Sequence, residues 1–376
     1  MKNKNQKKNK KKIILLTPVL SHYRQDLYHN LANSGDFDWL FVGGNEYQNI
    51  KSIDHLNSKT FSYWSFSLFK HRFYYLKGAV KNILLKKPDV VISSGIDFHL
   101  IHTLWLYIIY RIILRKKFIW WSQGTPGHQG RIGWLARKLF YKSSSGVLLY
   151  SRAGYENMLK MNVHPYKSKV IGNCLNKEDY GFLNHAINKE STTDEKLHIL
   201  FSGRLIPKAK LEILIQALGI LKSKGYNDYK CTIIGDGDLE HYKELTNTYQ
   251  VQDVVSFTGS LYGKAAHSYF LKSDLFVYPG GIGLSILHAL SFGLPVITTD
   301  NDSLHFPEIE LLKKGFNGDV YHDNNAADLA DKILIWKDKI LKNRMVYADH
   351  CLQSIKEHGY LPVEVGSKIL EFMKGI

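Results

Sequence analysis

The chain has 376 residues, 44% of them hydrophobic and 13% aromatic, which excludes a disordered chain and sets two hydrophobic cores as the expectation. Its formal net charge of +16 is uneven: residues 1–176 carry 28 Lys+Arg against 8 Asp+Glu, the other 200 residues 22 against 26. A basic first half suits nucleic acid, an anionic membrane or a phosphorylated substrate, since each is drawn by a positive field, and charge does not choose among them.

The chain opens on a lysine tail, MKNKNQKKNKKK (residues 1–12), too polar to pack and expected to be disordered. The apolar run IILLTPVL that follows has eight residues and no A-x-A-like cleavage site, and SHYRQ interrupts it. It reads as a first buried strand rather than a signal peptide, so the protein is expected in the cytoplasm. Further strand-like runs are DWLFVGG, DVVISSG, FIWWSQG, GVLLYS and KVIGN. Between them lie helical stretches near YRQDLYHNLAN, HLIHTLWLYIIYRIIL, GWLARKLFYKS and AGYENMLKMN.

Residues 67–87, SLFKHRFYYLKGAVKNILLKK, place Phe69, Phe73, Leu76, Val80 and Ile83 on one helical face with Lys70, Arg72, Lys77 and Lys81 largely elsewhere. That pattern predicts an amphipathic helix, packed on a core or lying on a membrane. The run Leu100–Leu114 is shorter than a bilayer span and carries His102 and Arg111, so a buried helix is expected. His99 and His102 have no third ligand in spacing, and Cys174, Cys231 and Cys351 no metal or redox spacing; no metal site is expected, and the thiols are expected to be reduced and buried.

Residues 177–196 are polar and weakly periodic, a linker. Beyond them LHILFSG, YKCTIIG, VVSFTG, LFVYPG, PVITT and GDVYH repeat the same alternation, with a helix expected after each of the first five. The fold class is therefore α/β, two doubly wound, Rossmann-like domains in tandem. The domains are expected at 13–180 and 190–350, with a helical segment at 351–376 packing back on the first.

Ligands of such sheets bind where strand ends lead into helices, which singles out three loops of the second domain. The first sets Gly203 and Arg204 at a strand end with Lys208 and Lys210 at a helix start, a placement unfavourable to the helix that reads either as a site for a bound anion or as a solvated basic turn. The second, GDGD at Gly235–Asp238, lacks the third glycine of a dinucleotide fingerprint and carries acids that repel phosphate. It reads as a tight turn in a position to pass a nucleotide base. The third, PGGIGLS, offers Gly280, Gly281 and Gly283, free to take unusual backbone angles or to let a ligand approach the main chain. The amides of Gly283, Leu284 and Ser285 follow at a helix start, a cradle for diphosphate.

The order and spacing of ILFSGRLIPKAKLEILIQAL, CTIIGDGDLEHY, DLFVYPGGIGLSILHALSFGLPVITTD and PEIELLKKGFNGDVYHDNN resemble the donor domain of the retaining, family 4 "group 1" glycosyltransferases of GT-B fold. The first half resembles them more loosely, through HYR, WWSQG and GVLLYS…KVIGN. The resemblance implies two domains facing across a cleft, the first binding acceptor. It also implies transfer of a sugar from a nucleotide diphosphate donor, UDP- or GDP-linked, with retention and without a cofactor or metal. Arg204 and a nearby lysine would neutralise the diphosphate. The family's lysine falls on Ala209, leaving Lys208 or Lys210 to replace it, and its paired glutamates fall on Gly280 and His288, the latter able to bind a ribose hydroxyl. Glu308 stands in the family's PE context. On the acceptor side the resemblance points to His22, Tyr23, Arg24 and Gln123, and His128 could reach the donor sugar or acceptor. The acceptor implied is a glycan, with a polyprenyl-diphosphate-linked one at the inner face of a bacterial membrane, in surface polysaccharide synthesis, as the first choice and a soluble sugar as the alternative. A non-catalytic sugar-nucleotide-binding protein and a sugar-nucleotide epimerase are the alternatives. No nucleic-acid recognition motif is present.

Overall fold

A computed structural model describes residues 10–47, 50–53, 57–68, 70–124, 130–185 and 196–376. The chain forms two compact units, one of residues up to Asn176 together with Pro362–Ile376, the other Lys177–Leu361. In the first, β1 (Lys12–Val19), α1 (Gln25–Asn33) and β2 (Asp38–Gly44) precede two short strands, β3 (Glu46–Tyr47) and β4 (Ile50–Lys51). Then come β5 (Ser58–Phe61), a hairpin of β6 (Tyr63–Leu68) and β7 (His71–Leu76), α2 (Ala79–Lys86), β8 (Val90–Ser94) and α3 (Ile101–Tyr107). The unit continues with β9 (Lys117–Ser122), α4 (Arg131–Ser143), β10 (Gly146–Leu149), α5 (Arg152–Lys160) and β11 (Ser168–Val170).

Seven of these strands form one parallel sheet in the order β11-β10-β9-β8-β1-β2-β5. Ile13 to Leu16 of β1 are all at most 1% exposed, as a strand covered on both faces requires. Alternate residues feed two cores, Ile14 and Leu16 on one face, Ile13 and Leu15 on the other. The strand order reverses between β8 and β1, which places the loops after those two strands at the switch point.

The second unit runs α6 (Gly181–Asn184), β12 (Leu197–Ser202), α7 (Leu211–Ser223), β13 (Tyr229–Ile234), α8 (Leu239–Thr248), β14 (Val255–Gly259) and α9 (Lys264–Lys272). It continues with β15 (Leu275–Tyr278), α10 (Ser285–Ser291), β16 (Val296–Thr299), β17 (Gly318–Tyr321), α11 (Ala326–Lys342) and α12 (Arg344–His358). Its parallel sheet has the order β14-β13-β12-β15-β16-β17, with the switch point between β12 and β15. The last helix, α13 (Pro362–Lys374), belongs to the first unit, where Val365, Ile369 and Met373 join Leu27 and Leu31 of α1 in one core. The return thus begins at 362 rather than 351, because Cys351 and Ile355 of α12 are buried in the second unit.

Three further expectations are corrected. Residues 67–87 are not one helix: the alternation in YWSFSL and HRFYYL pairs β6 with β7 antiparallel, and Gly78, at φ +79°, separates the hairpin from α2. Of the expected apolar face, Phe73 and Leu76 lie in β7, Val80 and Ile83 in α2, and Phe69 lies outside the described residues. No α-helix follows β16; short 3-10 turns at Asp302–Leu304 and Pro307–Leu311 take its place. The helix from Ile101 is buried on one side only: it continues as a π-helical turn, Ile108–Ile113, on which Ile112 and Ile113 are more than half exposed. Among the described residues no helix is long and apolar enough to cross a membrane. All three cysteines are buried free thiols.

Candidate functional site

At the switch point of the second sheet the ends of β12 and β15 are held against each other. Tyr278 stacks on Phe201 at 5.1 Å between centroids, and a Cβ at Gly203 would stand 2.9 Å from the Tyr278 ring. Only glycine fits beneath that ring. The next residue, Arg204, is exposed and makes no ion pair among the described residues; its charge acts on the Tyr278 hydroxyl, whose pKa burial pushes up and Arg204 pulls back.

The glycines of PGGIG serve close approach of two chains. None of Gly280, Gly281 and Gly283 has a positive φ, so unusual backbone angles are not their purpose. A Cβ at Gly280 would lie 2.0 Å from the Lys208 carbonyl oxygen, and one at Gly281 2.1 Å from that of Leu304. The loop is pinned by the Gly280 amide donating to Ala209 O (3.0 Å) and the Thr298 hydroxyl donating to Gly280 O (3.0 Å). His305 completes the clamp: its Nε2 lies 2.9 Å from Thr299 O, and the Ile282 amide donates to its Nδ1 at 3.2 Å. Those contacts fix a neutral tautomer, and burial lowers the ring's pKa accordingly. The amides of Gly283, Leu284 and Ser285, at the start of α10, have no acceptor among the described residues.

The two candidate lysines have different fates. Lys210, at φ +52°, is ion-paired with Asp323, which also accepts from the Thr299 hydroxyl at 2.9 Å and the Asn301 amide at 3.0 Å. Lys208 is exposed, forms no ion pair among the described residues, and lies 4.5 Å over the Phe306 ring. A Cβ on Gly283 would be 3.1 Å from the same ring. Phe306 therefore brings the Lys208 ammonium beside the start of α10.

Two other expected residues are not presented to this surface. His288 is turned into the domain: its ring lies 4.2 Å from Phe270 and 5.7 Å from His267, and its Nε2 is buried without a partner among the described residues. Burial lowers its pKa to about 3, so it is neutral. Glu308 is 4% exposed. Gly235, at φ +155°, packs against Gly203, where a Cβ would be 1.9 Å from Gly203 O, so the second loop braces the first.

In the first domain a pocket of about 440 Å³ opens at the carboxyl ends of β1, β8, β9 and β10. Tyr23, Arg24 and Gln123 line it, as do Asp97, Trp121, Arg137 and Tyr150. The Arg24 guanidinium lies 5.2 Å from the Trp121 ring centroid and 5.3 Å from that of Tyr150, and donates to Asn173 Oδ1 at 3.2 and 2.9 Å. It has no carboxylate partner among the described residues. His22 is exposed and outside the lining; its carbonyl accepts from Asn176. His128 lies outside the described residues.

Sequence reasoning missed Phe306, His305, Asp323 and Arg137. TTD and VYHD at two strand ends were the available signal for the first three. Arg137 sits mid-helix and gave none.

Residues 184–349 match the family model of the group 1 glycosyl transferases. An uncharacterized glycosyltransferase of Methanocaldococcus jannaschii is 27% identical over 320 residues, 75% of each chain. Among solved structures, HepE of Anabaena in complex with UDP covers 97% of this chain and 100% of its own, with a TM-score of 0.69 at 16% identity. The lipopolysaccharide outer core galactosyltransferase WaaB, in its apo form, covers 97% and 99%, also at 0.69 and 16%. The second domain therefore carries the sequence pattern of the group 1 glycosyl transferases, and the chain has the two-domain α/β fold, GT-B, of the glycosyltransferases it resembles.

Proposed function

We propose that the chain is a retaining glycosyltransferase that moves a sugar from a UDP- or GDP-linked donor to a glycan acceptor on a polyprenyl diphosphate, at the cytoplasmic face of a membrane, in surface polysaccharide assembly. The observation that carries the reading is the convergence, at one switch point, of Arg204 and Lys208, two cations without ion pairs among the described residues, with the amides of Gly283–Ser285, which have no acceptor among them. Negative charge develops on the diphosphate as the bond to the sugar breaks. Fixed cations and amides already in place stabilise it without reorganisation. Lys208 takes the role of the family lysine, since Lys210 is committed to Asp323.

For the acceptor, Arg24 and Arg137 place positive charge in an aromatic-walled pocket, which suits a phosphate-bearing glycan. The membrane reading rests on two neighbouring helices rather than on residues 67–87. Trp105, Ile108, Ile112 and Ile113 are exposed on α3 and its π-turn; Ile132, Trp134, Leu135 and Leu139 are exposed on α4. The two segments touch through Arg111 and Ser143, whose carbonyl accepts from the guanidinium at 2.7 Å. Arg115, Lys116, Arg131 and Lys142 are exposed on the same segments, a combination of apolar and basic side chains suited to an anionic bilayer surface.

The test is one-dimensional NMR of UDP- and GDP-sugars incubated with the protein. Release of one nucleoside diphosphate, with retained configuration in product formed from an added lipid-linked glycan, is expected. Absence of Glu side chains at Gly280 and His288 favours a second reading, a binding protein without catalysis. Binding of a donor with no turnover under any condition would establish it and overturn the first.

A further inference from the structure

We propose that Asp179, His267 and His288 form a structural transition-metal site, with Zn²⁺ as the ion its donors fit best, that fastens the first segment of the second domain to α9 and α10. The three side chains come from three separate elements: the 3-10 turn Lys177–Asp179, α9 and α10. Their ligand atoms all lie within 4.8 Å of one another, and His267 Nε2 is 3.8 Å from Asp179 Oδ1. His267 is 4% exposed, and among the described residues neither its Nε2 nor that of His288 has a hydrogen-bond partner. Burying two imidazole nitrogens without partners is costly, and both face the same carboxylate.

A shared cation resolves that cost. Two neutral imidazoles and one carboxylate are borderline nitrogen and oxygen donors of the kind that bind Zn²⁺ at about 2.0–2.2 Å, so coordination would draw the three atoms closer together. The fourth position falls to a water or to His185, whose ring centroid lies 5.9 Å from that of His267. The segment is already tied to α10 by Ser291, whose Oγ accepts from the Gly181 amide at 3.1 Å. The metal adds a second tie one turn earlier on the same helix. No spacing in the sequence announces such a site, since its ligands are far apart along the chain. The inference is independent of the donor reading: a metal there would hold α10, whichever ligand α10 faces.

The experiment uses the full chain, freed of any His-tag and stripped with a chelator, titrated with Zn²⁺ by calorimetry and with Co²⁺ by visible absorption. One Zn²⁺ per chain is expected, with a Co²⁺ spectrum typical of a four-coordinate nitrogen and oxygen site and a rise of several degrees in Tm on adding Zn²⁺. His267→Gln and His288→Gln should each weaken binding at least about tenfold and abolish the Co²⁺ bands, with circular dichroism confirming that the variants are folded. A control is His99→Ala, because exposed His99 lies 3.3 Å from His71 and 3.1 Å from Asp97 and offers a competing surface cluster. Binding that survives both glutamine variants but falls with His99→Ala overturns the proposal, and so does absence of binding to the stripped wild type.

Discussion

Gly280 and Ala209 occupy the two positions where the group 1 pattern carries a glutamate and a lysine, and in this protein they lie back to back. The Gly280 amide donates to Ala209 O, and any Cβ on Gly280 would overlap the Lys208 carbonyl. We read the two departures as one change: without a side chain at 280 the preceding loop closes up against it, and on the proposed donor reading the cation comes one residue earlier, from Lys208. Replacing Gly280 by Ala forces these backbones apart. We expect a loss of about 1–3 kcal/mol in urea unfolding, the range for an overpacked site, and a Gly280→Ala variant as stable as the wild type would contradict this packing. Arg204 stood out in the sequence because it directly follows a strand, Lys208 because it lies in the loop that leads on to a helix, and Arg24 only through the resemblance carried by HYR. The orientation of His288 was not: a position in a seven-residue helix does not reveal which neighbours it meets, and here Phe270, Phe292 and His267 enclose it.

At the scale of elements, the buried strands of both sheets were read correctly, since continuous Val, Ile and Leu runs have few other destinations. Residues 67–87 failed for a stated reason: a hairpin of six-residue strands followed by a helix of eight can mimic a long amphipathic period when the breaking glycine lies inside it. The tight fit of α3 brings a pH dependence. His102 is fully buried between the rings of Tyr63 and Tyr75, and burial lowers its pKa to about 4. The depressed folded value means that the neutral ring is favoured by folding. Its contribution is complete above the ordinary value of about 6.5 and lost as pH falls from there through about 4. His305, clamped neutral between Thr299 and Ile282, acts in the same direction. Urea midpoints measured against pH should fall across that window, and the fall should be shallower in His102→Gln. An unchanged slope would show that His102 does not titrate with unfolding.

At the scale of the molecule, the charge asymmetry places all of the positive excess in the unit that also exposes the apolar side chains of α3, its π-turn and α4. Sequence composition located the basic half correctly, but not the surface, because exposure of Ile112 or Leu139 depends on what packs beside them. Flotation with vesicles containing anionic lipid should retain the wild type at low salt, with part of the binding lost at high salt as the charges are screened and part kept through the apolar contacts. Leu135→Glu should reduce it severalfold, whereas a substitution in β6 such as Trp64→Ser should have little effect; the reverse ranking would return the membrane reading to residues 67–87. In the second unit, we propose, Arg204 and Lys208 at the switch point hold a nucleoside diphosphate. Titration calorimetry of UDP and GDP into the wild type, Arg204→Ala, Lys208→Ala and Lys210→Ala tests it most directly. One nucleotide should bind the wild type, Arg204→Ala and Lys208→Ala should each weaken it by about 10- to 100-fold, as loss of a charged hydrogen-bond donor does, and Lys210→Ala should have a smaller effect. Equal affinity across all four proteins, or binding lost only in Lys210→Ala, would contradict the assignment.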